Sequence, residues 1–186
     1  YLASIFSHKA RFLPFVTIVS LFCLLIIMEP DLGTAVILTV SGFILYFASG
    51  ANLFSFFSLV IGGFLGGILL IISSSYRKER LLTFLNPERD PLGASYHTNQ
   101  ILLALGSGGW FGVGLGASRQ KYAYLPEATT DSIFAVIAED FGFFGSVILI
   151  ILFLLVIWRG LKIAQEAPDR FGQLLAVGIS SWIGIQ

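Results

Sequence analysis

Long charge-free apolar runs set the pattern along the chain. Residues 12–28, 33–51 and 54–72 hold no charged side chain, and residues 133–158 hold only Glu139 and Asp140. A fifth run covers residues 171–186. Each comes near the ~20 apolar residues that cross a bilayer as a helix. None alternates with the two-residue period of a strand. Backbone polar groups in lipid must be satisfied within the segment, which selects helices. The pattern therefore predicts an all-α, multi-pass transmembrane bundle, a single integral membrane domain over residues 1–186. Its helices are expected at about 12–28, 33–51, 54–72, 133–158 and 171–186. The chain opens at Tyr1 and ends inside the fifth run, so it reads as an internal piece of a longer protein.

The polar stretches fix an expected topology. Lys9 and Arg11 precede the first run, and Arg159 and Lys162 follow the fourth. Cytoplasmic loops carry the excess of Lys and Arg, which puts both pairs in the cytoplasm. Three crossings from Lys9 then place the long segment 73–130 outside, and a fourth returns the chain to Arg159. Segment 73–130 holds Arg77, Lys78, Arg80, Arg89, Arg119 and Lys121, an unusual outer loop, although the rule weakens for long loops. Its length points to function or disorder. The aliphatic stretch Ile101–Leu105 and its aromatic content argue against disorder.

Composition sharpens the class. The chain is 56% hydrophobic and 12% charged, about half the ~25% charge of a soluble domain. A formal net charge of zero argues against nucleic-acid binding. The lone cysteine, Cys23, has no partner for an intrachain disulfide. His8 and His97 are far apart and lack metal-ligand neighbours, and no Cys/His cluster, nucleophile elbow or P-loop is present.

Five motifs remain, each with a structural and a functional reading. In Glu29-Pro30-Asp31-Leu32-Gly33-Thr34-Ala35, Asp31 is placed to cap the helix that begins near Leu32, with substrate contact as the minority reading. Gly62, Gly63, Gly66 and Gly67 form overlapping G-x-x-x-G spacings, which suit close helix packing. The basic cluster Tyr76-Arg77-Lys78-Glu79-Arg80 suits lipid head groups or, through the planar guanidinium fork, a phosphate. The glycine run Gly106–Gly116 suits tight turns at a membrane surface. Its G-x-G spacing is no dinucleotide fingerprint, because no strand precedes it. Asp131 stands at the mouth of the fourth long helix, as an N-cap or a functional carboxylate. Glu139 and Asp140 follow ~12 Å along that helix, at ~1.5 Å per residue. Acids at such a depth usually face a cavity or a partner.

Taken in order, these motifs resemble the SEDS family, the FtsW/RodA/SpoVE type. The set includes Glu29-Pro-Asp-Leu-Gly-Thr-Ala35, Tyr76-Arg77, Phe84-Leu85-Asn86-Pro87, Asp90-Pro91, Gln100 and Gly106–Gly116. It continues with Gln120-Lys121, Leu125-Pro126-Glu127, Thr130-Asp131, Ile133-Phe134-Ala135 and Ala138-Glu139. The wording Ser118-Arg119-Gln120-Lys121 is closer to the division type, FtsW, than to RodA. The resemblance implies a ten-helix membrane protein of the bacterial cytoplasmic membrane, of which this chain holds the fifth to eighth helices and much of the ninth. It implies a peptidoglycan glycosyltransferase that polymerises lipid II with a class B penicillin-binding protein, within the division or elongation machinery. The family's essential aspartate, in a His-Thr-Asp-Phe-Ile-Phe pattern, matches Asp131. Thr129 stands where His is usual, Ser132 where Phe is usual, and Asp140-Phe141 where Glu-Leu is usual.

On this reading Asp131 is the catalytic base, and desolvation would strengthen it. Arg77, Arg80 and Lys121 face the leaving pyrophosphate, with a divalent cation (magnesium or manganese) as a candidate helper. Gln100 and Glu127 join the substrate-binding set, and Asp31, Glu139 and Asp140 are structural or cavity residues. No protein-bound metal site is expected. Two other classes compete: a lipid II flippase, with Glu139 and Asp140 lining the path, and a non-catalytic scaffold for division proteins.

Overall fold

The structure, a computed structural model, describes residues 1–8, 12–29, 31–85, 96–114 and 132–186; of Thr83, Phe84 and His97 only the backbone is described. Among these residues it is all-helical. The helices are α1 (Leu2–His8), α2 (Phe12–Met28), α3 (Leu32–Ala48), α4 (Leu53–Ile72), α5 (Ser75–Leu85), α6 (Tyr96–Ser107), α7 (Ile133–Glu166) and α8 (Arg170–Ile185). α4 and α7 are long and apolar enough to cross a membrane, and α2 and α3 are shorter apolar helices. The chain forms two compact units, residues 1–67 with 153–186, and residues 68–152.

In the first unit α3 packs on α2 and α8, and α1 packs on α3 and α8. The core is aromatic. Phe15 stacks on Tyr46 with ring centroids 4.8 Å apart, and Phe6 meets Tyr46 edge-on at 5.7 Å. Ala3, Val19, Leu45 and Leu174 fill the rest. Close approach depends on Gly42, where an added Cβ would press on the Phe15 ring. Asp31 caps α3, accepting from the Thr34 N–H at 3.1 Å and the Thr34 hydroxyl at 2.5 Å. Asp169 caps α8 through the Gly172 N–H at 2.8 Å. α3 stops at Ala48, short of the predicted residue 51. The backbone turns at Gly50, with φ +79°, and the Ser49 carbonyl accepts from Arg170 Nη2 at 2.6 Å instead of continuing the helix.

The glycines of α4 do not meet the close packing predicted for them. Gly63 faces the Phe43 ring, while Gly62, Gly66 and Gly67 look onto open space. Small-residue contact occurs instead at Gly160, where a Cβ would collide with Ser180 Oγ.

The second unit holds two helices within the predicted loop. α5 and α6 lie inside segment 73–130, and α6 meets α7 through Ala104, Ile101 and Ala135. α7 is not one helix. At Gly142 the backbone takes φ 70° and ψ −164°, a region open essentially to glycine alone. In an unbroken helix the N–H groups of Phe143 and Phe144 would bond the carbonyls of Glu139 and Asp140. Here those two N–H groups donate to the carbonyls of Gly109 (2.9 Å) and Trp110 (3.2 Å). The freed carbonyls of Glu139 and Asp140 accept from the N–H groups of Val113 (3.0 Å) and Gly114 (3.2 Å). The glycine turn is thus clipped into the break, and these four backbone groups all find partners. A Cβ on Gly108 would strike the Ala138 carbonyl, and one on Gly112 (φ +83°) the Asp140 carbonyl. The sequence expectations, a long functional loop over 73–130 and a plain helix over 133–158, do not contain this clip. α7 also runs on to Glu166, because charged residues beyond Trp158 extend a helix as readily as apolar ones once outside lipid.

Two outcomes test this account. Phe15→Ala should destabilise the first unit by the low end of the ~3–5 kcal/mol of a core Phe→Ala change, because lipid tails are as apolar as the lost ring; thermal unfolding in detergent measures it. Gly112→Ala and Gly142→Ala should each lower the melting temperature, with about 1–3 kcal/mol of backbone strain before any collision. Gly66→Ala should leave it unchanged.

Candidate functional site

The described part of the expected site lies in the second unit. Arg77 sits on the first turns of α5, half-buried, and its Nη1 donates to the Leu70 carbonyl at 3.1 Å. That carbonyl belongs to the last turn of α4 and also accepts from the Ser73 hydroxyl at 3.0 Å. Arg77 therefore shares with Ser73 the closing of α4, and a guanidinium with five N–H donors retains others for a ligand. Arg80 lies three residues on and is exposed, on a helix that also exposes Tyr76, Lys78 and Leu85. Two cations at this spacing share one helix side. Gln100 is half-buried on α6.

Glu139 and Asp140 are brought against the glycine turn by the break at Gly142. Both are buried, with 3% and 8% of their surface exposed. Their main-chain carbonyls hold the turn, and the Asp140 Oδ1 atom is buried without a hydrogen-bond partner. Ser132, the departure at the entrance to α7, is fully buried, and its carbonyl accepts the first helical bond from Val136 at 3.2 Å. Asp131, Lys121 and Glu127 lie outside the described residues, as do Thr129, Thr130, Lys9 and Arg11. Asp31 belongs to the first unit, where it caps α3.

The first unit also holds an apolar groove of about 470 Å³ between α2, α3 and α8, lined by residues such as Ile18, Phe22, Leu38, Leu175 and Trp182. It offers a hydrocarbon chain contact and offers a charged group nothing. Among the described residues no three His, Cys, Asp or Glu side chains gather into a metal-binding group.

Sequence reasoning missed the clip between residues 108–114 and Gly142. The only local sign of it was Gly142 and Gly145 inside a membrane run, beside two acids. It also missed Arg77 as a helix terminator, since no sequence rule pairs an arginine with a carbonyl seven residues earlier.

Comparison with known proteins gives one answer throughout. The family described as cell cycle protein (FtsW/RodA/SpoVE) matches residues 3–186. Stage V sporulation protein E of Bacillus subtilis is 43% identical over 183 residues, covering 98% of this chain and 50% of that protein. The probable peptidoglycan glycosyltransferase FtsW of Idiomarina loihiensis is 47% identical over 165 residues, 87% of this chain and 40% of that protein. A chain from a peptidoglycan synthase complex, solved to explain how polymerization and crosslinking are coordinated, superposes with a TM-score of 0.63 at 26% identity, covering 92% of this chain and 46% of that one. This chain thus spans about half the length, or less, of the relatives it matches. Its helices, its loop motifs and these matches agree, and the chain belongs to the FtsW/RodA/SpoVE family of multi-pass membrane proteins.

Proposed function

We propose that this protein is a peptidoglycan glycosyltransferase that polymerises lipid II, an undecaprenyl-pyrophosphate-linked disaccharide peptide, into glycan strands. The observation that carries the reading is 47% identity, along 87% of the chain, to a protein named for that activity. The reaction forms a bond from a sugar hydroxyl to an anomeric carbon as the bond from that carbon to the lipid pyrophosphate breaks. Attack from the opposite face inverts the sugar. Asp131, next to the buried Ser132 that opens α7, takes the hydroxyl proton. Arg77 and Arg80 on α5, with Lys121, offset the charge that develops on the pyrophosphate. Gln100 and Glu127 contact the sugars.

An apolar groove of the kind between α2, α3 and α8 has the chemistry to hold an isoprenoid tail. The protein sits in the bacterial cytoplasmic membrane with segment 73–130 on the outer side, where the lipid-linked sugar is polymerised. Its partner is a class B penicillin-binding protein in the division or elongation machinery. The similarity to a chain of a peptidoglycan synthase complex supports that pairing.

Asp131→Asn in the full-length protein should abolish glycan polymerisation from purified lipid II while leaving the melting temperature and partner binding unchanged. Retained polymerisation would exclude Asp131 as the base. Arg77→Ala should raise the apparent KM for lipid II and also lower the melting temperature, because the same guanidinium helps close α4; an unchanged KM removes it from the site. Treatment with EDTA followed by magnesium or manganese tests the accessory ion: loss and recovery of activity is the expected outcome, and full activity in EDTA excludes it.

A further inference from the structure

Four rings gather where the glycine turn is clipped into α7. Trp110 meets Phe143 edge-on at 5.3 Å and Phe144 at 6.0 Å, and Phe111 meets Phe144 at 5.4 Å. All four are at least half exposed, Phe111 by 82%. Exposed apolar rings clustered on a membrane protein need an apolar neighbour. The charge pattern of α7 identifies it. From Asp140 the next charged residue is Arg159, so residues 141–158 form a charge-free stretch of about 18 residues. At ~1.5 Å per residue this is about 27 Å, against a hydrocarbon core of about 30 Å.

The ring cluster lies at one end of that stretch. Trp158, exposed and with Lys162 5.8 Å from its ring, lies at the other. Between them Ile148, Ile151, Leu152, Phe153, Leu154 and Leu155 are each about half exposed, as lipid-facing residues are. Tryptophan favours both membrane interfaces, where ring and N–H each find their solvent; Trp110 and Trp158 hold those two places, and the phenylalanines beside Trp110 add apolar surface on its hydrocarbon side.

We infer that the cluster of Trp110, Phe111, Phe143 and Phe144 is an anchor in the bilayer interface. The break at Gly142 then marks the membrane boundary, and residues 133–141 of α7 stand beyond the hydrocarbon. The polar backbone of the glycine turn thereby stays out of the acyl region, where unpaired groups cost most. The partnerless Asp140 Oδ1 and the buried Glu139 also leave the hydrocarbon core. A lipid-translocation path through the bilayer centre loses the two acids it would need. The inference concerns depth alone and does not rest on the proposed enzymatic activity.

Spin-label depth measurements on the full-length protein in liposomes test it. Single cysteines replace the exposed residues Ile133, Phe141 and Ile150, with Cys23 and any other native cysteine changed to Ser. Oxygen and a nickel chelate serve as the apolar and polar collision partners. The label at 133 should read as aqueous, the label at 141 as interfacial, and the label at 150 about 13 Å deeper than 141, from ~1.5 Å per residue. A label at Phe111→Cys should match the depth of 141 from the turn side. A reading at 133 within the acyl region, or at 141 and 111 in bulk water or at mid-bilayer, overturns the inference.

Discussion

Backbone hydrogen bonding in a solvent that offers none is the constraint on which this structure depends. A regular helix meets it automatically, and most of the chain is regular helix. The exception is Gly142, where the ladder is interrupted inside a helix long and apolar enough to cross a membrane. The break is buried by the protein itself at Glu139 and Asp140, and a backbone N–H or C=O shut away from water without a partner costs about as much as a lost hydrogen bond, so an unrepaired break would weaken the fold wherever it stands relative to the lipid. The repair is an exchange of partners between two segments, which the turn at 108–114 can reach only because Gly108, Gly112 and Gly142 have no Cβ to obstruct it. The fold therefore gains an irregular feature in which the N–H groups of Phe143 and Phe144 and the carbonyls of Glu139 and Asp140 all stay bonded.

Packing in the first unit follows a related logic. Apolar surface gains little by leaving lipid for protein, so shape and close contact decide which helices associate. The Phe15–Tyr46 stack with Phe6 edge-on to it, the bare Gly42 beneath Phe15, and Gly160 against Ser180 are contacts of this kind. Polar groups are used sparingly and locally: Asp31 and Asp169 as caps, and Thr39 beside Cys23, with Oγ1 3.2 Å from Sγ.

The membrane helices were legible because their signal is compositional and long. The start of α2, the start of α7 and the cap at Asp31 follow from charge, apolar run and side-chain chemistry. The end of α3 was less legible, since nothing in Ser49-Gly50-Ala51 reveals that an arginine 121 positions away takes the Ser49 carbonyl. α5 was hidden by its charge and α6 by its shortness within a segment of loop-like length. The Gly142 break was hidden because a glycine in an apolar run is also compatible with unbroken helix. At the candidate site, residue type pointed to Arg77, Arg80, Glu139 and Asp140. Only coordinates could add that Arg77 also terminates a helix and that the two acids flank a backbone exchange.

The bond between Arg170 and Ser49 also has a bearing on biosynthesis. Leu174 belongs to the same core as Phe6, Phe15 and Tyr46, and α3 packs directly on α8. At ribosomal rates of about 5–20 residues per second, α8 emerges on the order of 6–24 s after α3. During that interval the first three helices must wait in the membrane with the Ser49 carbonyl unclaimed and one wall of their core missing. The nascent chain thus passes through a vulnerable period whose length is set by how far apart in sequence the two halves of one packing surface were placed.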